Sequence, residues 1–560
     1  MSIIEHSPAD AEADPFIALV GPGSDEVTVH EDEILCHAGD RADSWWYVVD
    51  GYADVTRGGR YVGTVGPGET IGELSMLDGR PRSATVTAKS DMRLRVGSAE
   101  QFTAAAESDP AIGLEVARLV ARRLRDLTGR IGGQPDTESD ATDAPTASTQ
   151  AVGGEDTSAA STGTAVWDPF APGYFEDPTV QFNAIREQEA VHRVETTGAY
   201  MFTRYEHVQP LGRDRRLGNS IDHALPNPVI DAEREMFASA PTESILRRDG
   251  DEHSRVRRLL QKAFTPKVIA GWRERTSQVT EQLLDALERD GGGDLIDDYA
   301  LLLPVQIITD MLGLPGDDVG DLRDWSHVVT KTLDPLCTPE ERAASIVARD
   351  EMLSYFETMY QHKRQHPDDG LLSAMIEAEQ DGERMTHAEV LVHTLLLFAA
   401  GHETTTNLIG NGAIELFRHP DQRAKLVADP GLDANAIEEV LRYNSPVQMT
   451  RRISIADIDV AGVEIPAGNV FTLVSAAANR DPRKWGPTAD EFRVDRAGAN
   501  DQVSFGGGPH FCLGAALARL EGQVALPRLF RRFPDLRPTT EPAFETRIVL
   551  RGVAHLPVEL

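Results

Sequence analysis

Cysteine is scarce in this sequence. The chain of 560 residues contains three cysteines, Cys36, Cys337 and Cys512. They lie far apart, so they show neither the spacing of a disulfide framework nor the clustered spacing of a zinc or iron–sulfur site. This usage fits a reducing compartment, and each cysteine has to be explained singly.

Long apolar runs and an excess of basic residues are also lacking. The longest apolar run, near residues 390–401, is shorter than a membrane span, and the acidic amino terminus has only a brief apolar stretch. With 55 Lys and Arg against 90 Asp and Glu, the formal net charge is −35, which opposes binding to nucleic acid and to anionic membranes. We therefore expect a cytoplasmic protein that binds neither.

The patterning divides the chain into four segments. We expect a disordered tail over residues 1–14. Short alternating strands punctuated by glycine, then an amphipathic helix, predict a β jelly roll with a C-terminal helix over residues 15–131. Residues 132–165 contain no Lys or Arg, which indicates an acidic disordered linker with a reach of roughly 30 Å. Residues 166–560 are expected to form a mainly α-helical domain with small β-sheets.

Some elements of this last domain can be placed from periodicity. Amphipathic patterns predict helices over residues 186–194, 276–290 and 387–417. Short β pieces are expected over residues 458–468 and 469–476.

The segment Phe505–Gly514, FGGGPHFCLG, carries the strongest chemical signal. Three consecutive glycines permit a tight loop. Cys512 stands just before a run of helix formers, so its sulfur would face backbone N–H groups and a helix dipole, which lower the pKa of a thiol. Such a thiolate suits an axial iron ligand. Taken alone, the pattern also fits a buried free cysteine in a glycine-rich turn.

This segment resembles the cysteine loop of the cytochrome P450 family, F-G-x-G-x-[HR]-x-C-x-G, at every fixed position. The resemblance implies the mainly α-helical P450 fold and haem b as cofactor. It implies that Cys512 is the axial ligand of the haem iron and that Phe505 belongs to the haem-binding loop. It further implies a monooxygenase that inserts one oxygen atom from O2 into a small apolar organic substrate.

Glu439 and Arg442 resemble the E-x-x-R of this family, and Arg496, in FRVDR, resembles the later arginine that joins them. Residues at i and i+3 share one helix face and can form a charge-assisted pair. An isolated pair of this kind is usually a solvated surface pair. The order and spacing before the cysteine loop favour a buried structural triad.

A second set of residues resembles the family's contacts to the haem propionates. His253 and Arg257 stand four residues apart, on one helix face, and Arg452 and His510 match further contacts. Because Arg451 precedes Arg452, that assignment is uncertain by one residue. Each of these residues alone could be a surface charge, but together they form a consistent anion clamp.

Residues 400–405, AGHETT, lie within a long helical pattern. Gly401 costs about 1 kcal/mol there relative to Ala, which suggests a close neighbour, and a Thr hydroxyl can bond back to the preceding turn and open the helix locally. In the family this segment supplies an acid–alcohol pair that delivers protons during oxygen activation. By position, Glu403 is the acid and Thr404 the alcohol. The pair predicts O2-dependent monooxygenation, while a threonine-rich helix end is the plain alternative.

Electrons are expected from other proteins, because no flavin-domain pattern follows Cys512. The resemblance to soluble bacterial P450 enzymes implies a ferredoxin and an NAD(P)H-linked ferredoxin reductase. We hypothesise that a group of arginines docks an acidic ferredoxin, with an ordinary solvated face as the equal alternative. These residues are Arg255, Arg258, Arg528, Arg531 and Arg532.

The amino-terminal segment resembles cyclic-nucleotide-binding domains of the catabolite-activator and protein-kinase-A regulatory type. The match to their phosphate-binding cassette falls on Gly72, Glu73, Leu74, Arg82, Ser83 and Ala84. A carboxylate can accept the ribose 2′-hydroxyl, and an arginine can hold the cyclic phosphate. The serine after the arginine favours cAMP over cGMP. The alternative is a related jelly roll that has lost its ligand.

The leading hypothesis is a P450 monooxygenase regulated by cyclic nucleotide. One alternative is a nucleotide-responsive scaffold or sensor with a catalytically minor haem domain, and another is a P450 enzyme with a non-binding structural domain. A flexible linker transmits no strain, so regulation would require docking.

Substrate contacts are expected within residues 225–250, 396–400 and 447–449. The stripe of Val120, Leu124 and Leu127 would suit a homodimer as well as an intramolecular core.

Overall fold

A computed structural model describes residues 26–98 and 165–560. The first range has gaps at 31–32, 38–39, 41–43, 58–59, 68–69, 73–81 and 83–84, and the second at 239, 317–318, 336 and 381–382. The chain separates into two compact units, Met1–Asp156 and Thr157–Leu560. The tail, the linker and the helix after residue 98 that the sequence predicts lie outside the described residues, as does the stripe of Val120, Leu124 and Leu127.

The described part of the first unit consists of antiparallel strands in two sheets. One four-stranded sheet has the order β1-β8-β3-β6 and the other the order β2-β7-β4-β5. The strands are β1 (Glu26–Val29), β2 (Ile34–Cys36), β3 (Ser44–Asp50), β4 (Ala53–Arg57), β5 (Arg60–Val65), β6 (Thr70–Ile71), β7 (Thr85–Ala88) and β8 (Met92–Ser98).

Alternation along the strands builds the core of this unit. On β3, Trp45 is buried and Trp46 is partly exposed, and on β8 Met92 and Leu94 are buried on either side of the exposed Arg93. A period of two places every second side chain on the same face of a sheet. The strands expected from the sequence are therefore present, whereas their closure into a jelly roll remains a prediction.

The second unit is mainly α-helical, as the sequence predicts. Its helices are α1 (Thr179–Gln188), α2 (Tyr205–Leu211), α3 (Pro228–Phe237), α4 (Gly250–Gln261), α5 (Pro266–Gly271), α6 (Arg273–Asp290), α7 (Leu302–Leu312), α8 (Val319–Thr330), α9 (Pro339–Gln365), α10 (Leu371–Glu377), α11 (His387–Arg418), α12 (Pro420–Ala428), α13 (Asp433–Tyr443), α14 (Ser475–Ala478), α15 (Pro482–Trp485) and α16 (Ala515–Arg532).

Short strands accompany the helices in small sheets, one of them five-stranded with the order β11-β15-β18-β10-β9. A three-stranded sheet has the order β12-β20-β19, and two hairpins pair β13 with β14 and β16 with β17. The strands are β9 (His192–Arg193), β10 (Tyr200–Phe202), β11 (Leu217–Gly218), β12 (Gly292–Asp294), β13 (Glu379–Gln380), β14 (Glu383–Arg384), β15 (Thr450–Ser454), β16 (Ile458–Val460), β17 (Val463–Ile465), β18 (Val470–Leu473), β19 (Arg537–Pro538) and β20 (Pro557–Glu559).

The helices predicted over residues 276–290 and 387–417 match α6 and α11, but the helix predicted over 186–194 is wrong. There α1 ends at Gln188, and His192 pairs with Met201 in the antiparallel ladder of β9 and β10. Pairing between strands overrides the helical pattern of a short segment. Among the described residues, no helix is long and apolar enough to cross a membrane.

The long helix α11 runs through the core of the second unit. Its first turn has a capping box, in which Thr386 Oγ1 accepts from the backbone N–H of Glu389 (3.2 Å) and Glu389 Oε2 accepts from that of Thr386 (2.9 Å). Its middle is apolar and fully buried at Ile409, Ala413 and Ile414. A helix that is apolar on several faces has to be enclosed by its neighbours, so α11 is fixed along its length.

His393 fastens α11 to the loop before α4. Its ring is fully buried; Nδ1 bonds to the carbonyl oxygen of Glu389 (2.6 Å), and Nε2 accepts from the backbone N–H of Ile245 (3.1 Å). Accepting at Nε2 requires a neutral ring. Burial lowers the pKa of His393 to about 4, so the imidazole remains neutral at neutral pH.

A buried ionic cluster ties α13 to the segment that leads to the cysteine loop. Arg442 donates to both oxygens of Glu439 (2.7 and 2.8 Å), and Arg496 Nε lies 3.0 Å from each of them. Arg442 also donates to three carbonyl oxygens, those of Asn479, Ala489 and Glu491 (2.8 to 2.9 Å). Glu439 and Arg442 are fully buried, and the cluster survives burial because its polar atoms are paired.

Replacing Arg442 with Met is expected to lower the free energy of unfolding by about 3–5 kcal/mol, because the Glu439 carboxylate and three carbonyls lose buried hydrogen bonds. Chemical denaturation of the haem-loaded protein measures the change. Arg537→Met is the matched control, since Arg537 is 66% exposed in its pair with Glu559 and such pairs contribute less than about 1 kcal/mol. Equal losses in both variants would contradict a buried structural triad.

His393 is expected to make the folded state sensitive to acid. The unfolded chain protonates this histidine near pH 6.5 and the folded chain only near pH 4, so the stability it contributes is present above pH 6.5 and is lost as the pH falls toward 4. The difference reaches about 3 kcal/mol. Denaturation midpoints across this range should therefore fall less steeply in His393→Gln than in the parent. His387→Gln, at a half-exposed histidine, is the control for the substitution itself.

Candidate active site

The cysteine loop is a tight turn just before α16. The backbone N–H of Cys512 donates to the carbonyl oxygen of Phe505 (3.0 Å), which closes the loop. Gly506 and Gly508 have φ values of +69° and +64°, a region that side chains with Cβ seldom adopt. A Cβ at Gly508 would also lie 3.1 Å from the carbonyl oxygen of Gly212. The glycines are therefore needed for backbone shape and for close packing.

Asn479 joins this loop to the buried cluster. Its carbonyl oxygen accepts from Arg442, while its side-chain oxygen accepts from the backbone N–H of Val503 (2.9 Å). Its side-chain nitrogen donates to the hydroxyl of Ser504 (2.8 Å), which in turn donates to the carbonyl oxygen of Leu441 (2.7 Å). The residues directly before Phe505 are thus held by the same network that buries Glu439.

The surroundings of the Cys512 sulfur act on the pKa of the thiol in both directions. The backbone N–H groups of Gly514 and Ala515, which the sequence predicts, lower it, and so do the cations Arg257 and Arg519, which the sequence does not predict. Desolvation of the sulfur is larger and leaves the pKa of the thiol raised, although Cys512 as a residue is exposed. The expected donors are present, but the net direction differs from the expectation.

Two of the predicted propionate contacts, His253 and His510, lie side by side. Their ring centroids are 4.3 Å apart, and His510 Nε2 is 3.0 Å from an Asp249 carboxylate oxygen. His253 is buried, and its Nε2 has no hydrogen-bond partner. Burial, together with His510 and Arg257, lowers the pKa of His253 to about 4. A buried donor site without an acceptor is costly and marks a position where a ligand oxygen fits.

The two arginines of this set approach the same region. Arg257 donates to the carbonyl oxygen of Phe511 (2.6 Å), beside Cys512. Arg452 is buried, its Nη1 donates to the carbonyl oxygen of Arg451 (2.8 Å), and burial lowers its pKa to about 10. Arg451 instead pairs with Glu233 of α3 (3.0 Å). The structure therefore favours Arg452 over Arg451 as the propionate contact.

The donor set fits haem. The buried cation Arg452 and the unpartnered Nε2 of His253 would hold two carboxylates, and the Cys512 sulfur would bind the iron. A cavity of about 240 Å³ adjoins the loop. Its lining includes Arg452, Phe505, Gly506, Phe511 and Arg519.

The second half of the site lies on α11. The close neighbour expected at Gly401 is Ile308 of α7, since a Cβ there would come within 3.2 Å of its side chain. The Thr404 hydroxyl donates back to the carbonyl oxygen of Ala400 (3.0 Å), as expected. The helix nevertheless continues without interruption, so the expected local opening is wrong: this hydroxyl bond adds to the helical ladder without breaking it.

Glu403 lies in an ionic cluster that the sequence does not reveal. Its carboxylate is buried and bonds to Arg547, and Oε1 is 3.7 Å from Nδ1 of His327. Burial alone would raise the pKa of Glu403, but His327, Arg547 and Thr330 outweigh it and hold the pKa below its usual value. Arg547 stands 144 residues from Glu403, so no local spacing links the two.

A second buried carboxyl near α11 was also missed. Glu521 of α16 is 1% exposed, and one of its oxygens has no hydrogen-bond partner. Burial raises its pKa to about 8, opposed only by a hydrogen bond from Thr405. In the sequence, Glu521 has the appearance of a surface residue on an amphipathic helix.

In the first unit, Arg82 is buried, and it donates to the carbonyl oxygens of Gly72 (3.1 Å) and Ser44. Its guanidinium carbon lies 4.8 Å from the ring centroid of Trp46. Gly72 has a φ of +87°, and a Cβ there would collide with the guanidinium. The structure thus brings together Gly72 and Arg82. The other predicted nucleotide contacts, Glu73, Leu74, Ser83 and Ala84, lie outside the described residues.

The arginines proposed to dock a ferredoxin do not form a patch of free cations. Arg255 bonds to Glu389 (3.3 Å), Arg528 to Glu281 (3.3 Å), and Arg531 to Asp433 (3.0 Å). Arg532 lies in contact with three carboxylates, those of Glu281, Asp285 and Glu288, and Arg258 also has an interaction partner. Neighbouring acids neutralise most of this expected surface, because the acidic sequence supplies a carboxylate near nearly every cation.

Comparison with known proteins identifies both units. The model of the cytochrome P450 family matches residues 323–429 and 432–551, and that of the cyclic nucleotide-binding domain matches residues 26–109. Vitamin D(3) 25-hydroxylase of Pseudonocardia autotrophica is 36% identical over 406 residues, which cover 71% of this chain and 98% of that protein. Cytochrome P450 107B1 of Saccharopolyspora erythraea is 38% identical over 400 residues, 70% of this chain and 96% of that protein.

Solved structures agree with these relatives. The polyketide synthase cytochrome P450 PksS of Bacillus subtilis has a TM-score of 0.64 at 30% identity, and the match covers 70% of this chain and all of that one. Myxobacterial CYP267B1, solved in complex with myristic acid, has a TM-score of 0.65 at 33% identity, with 70% and 98% covered. These likenesses confirm the P450 fold of the second unit.

The strands of the first unit are consistent with the domain that its family model describes. The relatives of the second unit include two bacterial hydroxylases, one for vitamin D(3) and one for 6-deoxyerythronolide B. The chain belongs to the cytochrome P450 family, as a P450 monooxygenase fused to an amino-terminal cyclic nucleotide-binding domain.

Proposed function

We propose that the second unit inserts one oxygen atom from O2 into a small apolar organic substrate, with electrons from an NAD(P)H-linked ferredoxin reductase and a ferredoxin. The observation that carries this proposal is the Cys512 loop beside two buried donors, His253 and Arg452, which form no salt bridge with a carboxylate among the described residues. When bound there, haem b supplies the chemistry of dioxygen reduction and O–O bond cleavage, which an axial thiolate favours.

The residues of this chain have separate roles. Cys512 would supply the sulfur ligand of the haem iron, and His253, Arg257, Arg452 and His510 would hold the propionates. Glu403 and Thr404, adjacent on α11, move protons on the substrate side. O–O bond cleavage consumes protons, so a positioned acid and a hydroxyl are needed where bulk water is excluded.

The substrate class is inferred from the side chains of the expected substrate pocket and from the ligands of related proteins. We propose that this pocket is formed by residues 225–250, 396–400 and 447–449, next to Gly401. Within these segments Leu225 and Leu246 have large exposed apolar side chains and Met449 is buried. Related structures contain myristic acid or testosterone, and one relative is named for vitamin D3. An apolar ligand is common to all three.

The first unit is proposed to bind cyclic nucleotide and thereby to regulate the enzyme, with cAMP preferred over cGMP. Arg82 supports this proposal, because two backbone carbonyls and the Trp46 ring hold its guanidinium in place. A guanidinium has five N–H donors, so those not used by Gly72 and Ser44 can take a cyclic phosphate. Residues 1–14 and 132–165 are proposed as a disordered tail and a disordered linker between the two domains.

Turnover tests the catalytic part. With a bacterial ferredoxin, its reductase and NADPH, we expect product from at least one of three probes: vitamin D3, testosterone or myristic acid. Thr404→Ala should lower the rate of product formation roughly 100-fold, because a positioned proton donor is lost. Thr404→Ser should restore most of it. Thr406→Ala is the control, since that hydroxyl makes the same back bond, to His402 (3.0 Å). An equal loss in both alanine variants would contradict the assignment.

Calorimetric titration with cAMP tests the regulatory part. We expect micromolar binding that weakens at least 10-fold to 100-fold in Arg82→Ala, because a charge-assisted hydrogen bond to phosphate contributes about 1.5–3 kcal/mol. Arg93→Ala is the control in the same unit, since Arg93 lies on β8 and is 54% exposed beside Glu26. Absence of binding, or equal weakening in both variants, would count against a nucleotide site. A repeat titration with cGMP measures the preference.

A further inference from the structure

The proton donor proposed on α11 is already bound to other residues. Glu403 is 8% exposed; its carboxylate bonds to Nη1 of Arg547, and Oε1 lies 3.7 Å from His327 Nδ1. The other oxygen, Oε2, is buried and has no hydrogen-bond partner within the described part of the chain. One side of the carboxylate is thus paired, and the other is left to accept a hydrogen bond.

Arg547 connects Glu403 to the end of α8. Its Nη2 donates to the carbonyl oxygen of Thr330 (2.9 Å), and its Nε lies 3.9 Å from a carboxylate oxygen of Asp334. Asp334 in turn accepts from the backbone N–H groups of Ile548 (3.1 Å) and Val549 (2.7 Å). Arg547 is 9% exposed, so its position is fixed by bonds on both sides.

This pairing creates a chemical difficulty. The pKa of Glu403 is held below its usual value, so at neutral pH the side chain is a carboxylate and has no proton to donate. Arg547 cannot supply one, because a guanidinium does not deprotonate in proteins. Glu403 must therefore receive a proton from another group before each donation.

The groups that face Glu403 leave few candidates for the residue that returns its proton. Asp334 and the cations Arg547 and Arg323 surround the cluster. His402 is buried, and burial lowers its pKa, so it is neutral. His327, on α8, is 46% exposed on its side chain, and its Nδ1 lies 3.7 Å from the carboxylate. Histidine is the side chain that ordinarily changes protonation between pH 5 and 8.

We propose that His327 is the residue through which Glu403 exchanges its proton with solvent, and that Arg547 is a positioning residue that holds the carboxylate beside it. The proposal rests on the role of Glu403 in the proposed function. In the exchange, the Nδ1–H bond of the His327 imidazolium breaks and an O–H bond forms on Glu403. The neutral ring keeps its proton on Nε2, so it turns until Nδ1 faces solvent, and Nδ1 takes a new proton there from hydronium or a buffer acid. Glu403 then passes its proton toward Thr404 and is again a carboxylate.

The distance is compatible with this step. At 3.7 Å, Nδ1 and Oε1 are beyond direct hydrogen-bond reach, so the step requires a small rotation of His327 or one bridging water. The exposed side of α8 permits both. The rotation does not disturb Arg547, which keeps its bond to Thr330.

His327→Gln tests the exchange, with His387→Gln as the matched control. His387 is 48% exposed and pairs with Glu357, so it resembles His327 in exposure. With a probe that is turned over, His327→Gln should have roughly 10-fold less activity than the parent and the control, because the group that returns a proton to Glu403 is lost. Parent-like activity in His327→Gln would overturn the proposal.

Infrared spectroscopy of the haem-loaded protein tests the cluster without turnover. At pH 7 the parent should lack a protonated carboxyl band from Glu403. In Arg547→Gln, the rise that burial causes in the pKa of Glu403 is less opposed, so the carboxyl should be protonated and its band should appear. The double variant Arg547→Gln with Glu403→Gln should lack this band. Arg547→Lys should again suppress it. No band in Arg547→Gln would overturn the positioning role.

Infrared spectroscopy also distinguishes a failure of this inference from a failure of the proposed function. In His327→Gln, the midpoint at which Glu403 takes up a proton should move to higher pH, because a neighbouring donor is lost, and His387→Gln should leave it in place. If no probe is turned over and the midpoint moves, the substrate part of the proposed function fails and the coupling of His327 to Glu403 stands. An unmoved midpoint would overturn the inference itself.

Discussion

The haem-binding unit depends on one constraint: the carboxylate of Glu439 is fully buried, so each of its oxygens needs hydrogen-bond donors. A carboxylate with no access to water is tolerable only when cations and N–H donors surround it, and here Arg442, Arg496 and the backbone N–H of Arg493 (2.8 Å) do so. Arg442 in turn needs carbonyl acceptors, which it takes from a distant segment. One of those acceptors, Asn479, positions the residues before the cysteine loop. The placement of Cys512 thus follows from the pairing of a charge that has no chemical role itself.

Buried polar atoms around the candidate site are paired to different degrees. Around Glu439 the polar atoms of the two arginines have partners, whereas His253 Nε2 and Glu403 Oε2 are buried without one among the described residues. An unpaired buried atom is costly, but such atoms also occur elsewhere in the described residues, for example at Asn183 and Asn411. An unpaired atom therefore indicates a functional group only together with a motif. His253 and Glu403 meet both conditions, because each also belongs to a segment that resembles a P450 motif.

Sequence reasoning succeeded where a few neighbouring residues determine the geometry. The i,i+3 spacing of Glu439 and Arg442, the glycines of the cysteine loop and the back bond of Thr404 are local, and the structure contains each of them. It failed where tertiary contacts decide. The contacts between Arg547 and Glu403 and between Ile245 and His393 join residues more than 140 positions apart.

Burial of single charged residues was equally hard to predict. Nothing in the pattern around Glu521 distinguishes it from a solvated glutamate, and the ion pairs that neutralise Arg528 and Arg531 depend on acids of other helices. Two buried glutamates near α11, Glu403 and Glu521, are held in different protonation states by their surroundings. Glu403 meets a guanidinium and remains ionised, whereas Glu521 meets only the Thr405 hydroxyl and remains protonated below about pH 8. The charge near α11 is therefore determined by tertiary contacts, with His327 and Thr330 of α8 and with Arg547, which is 144 positions from Glu403.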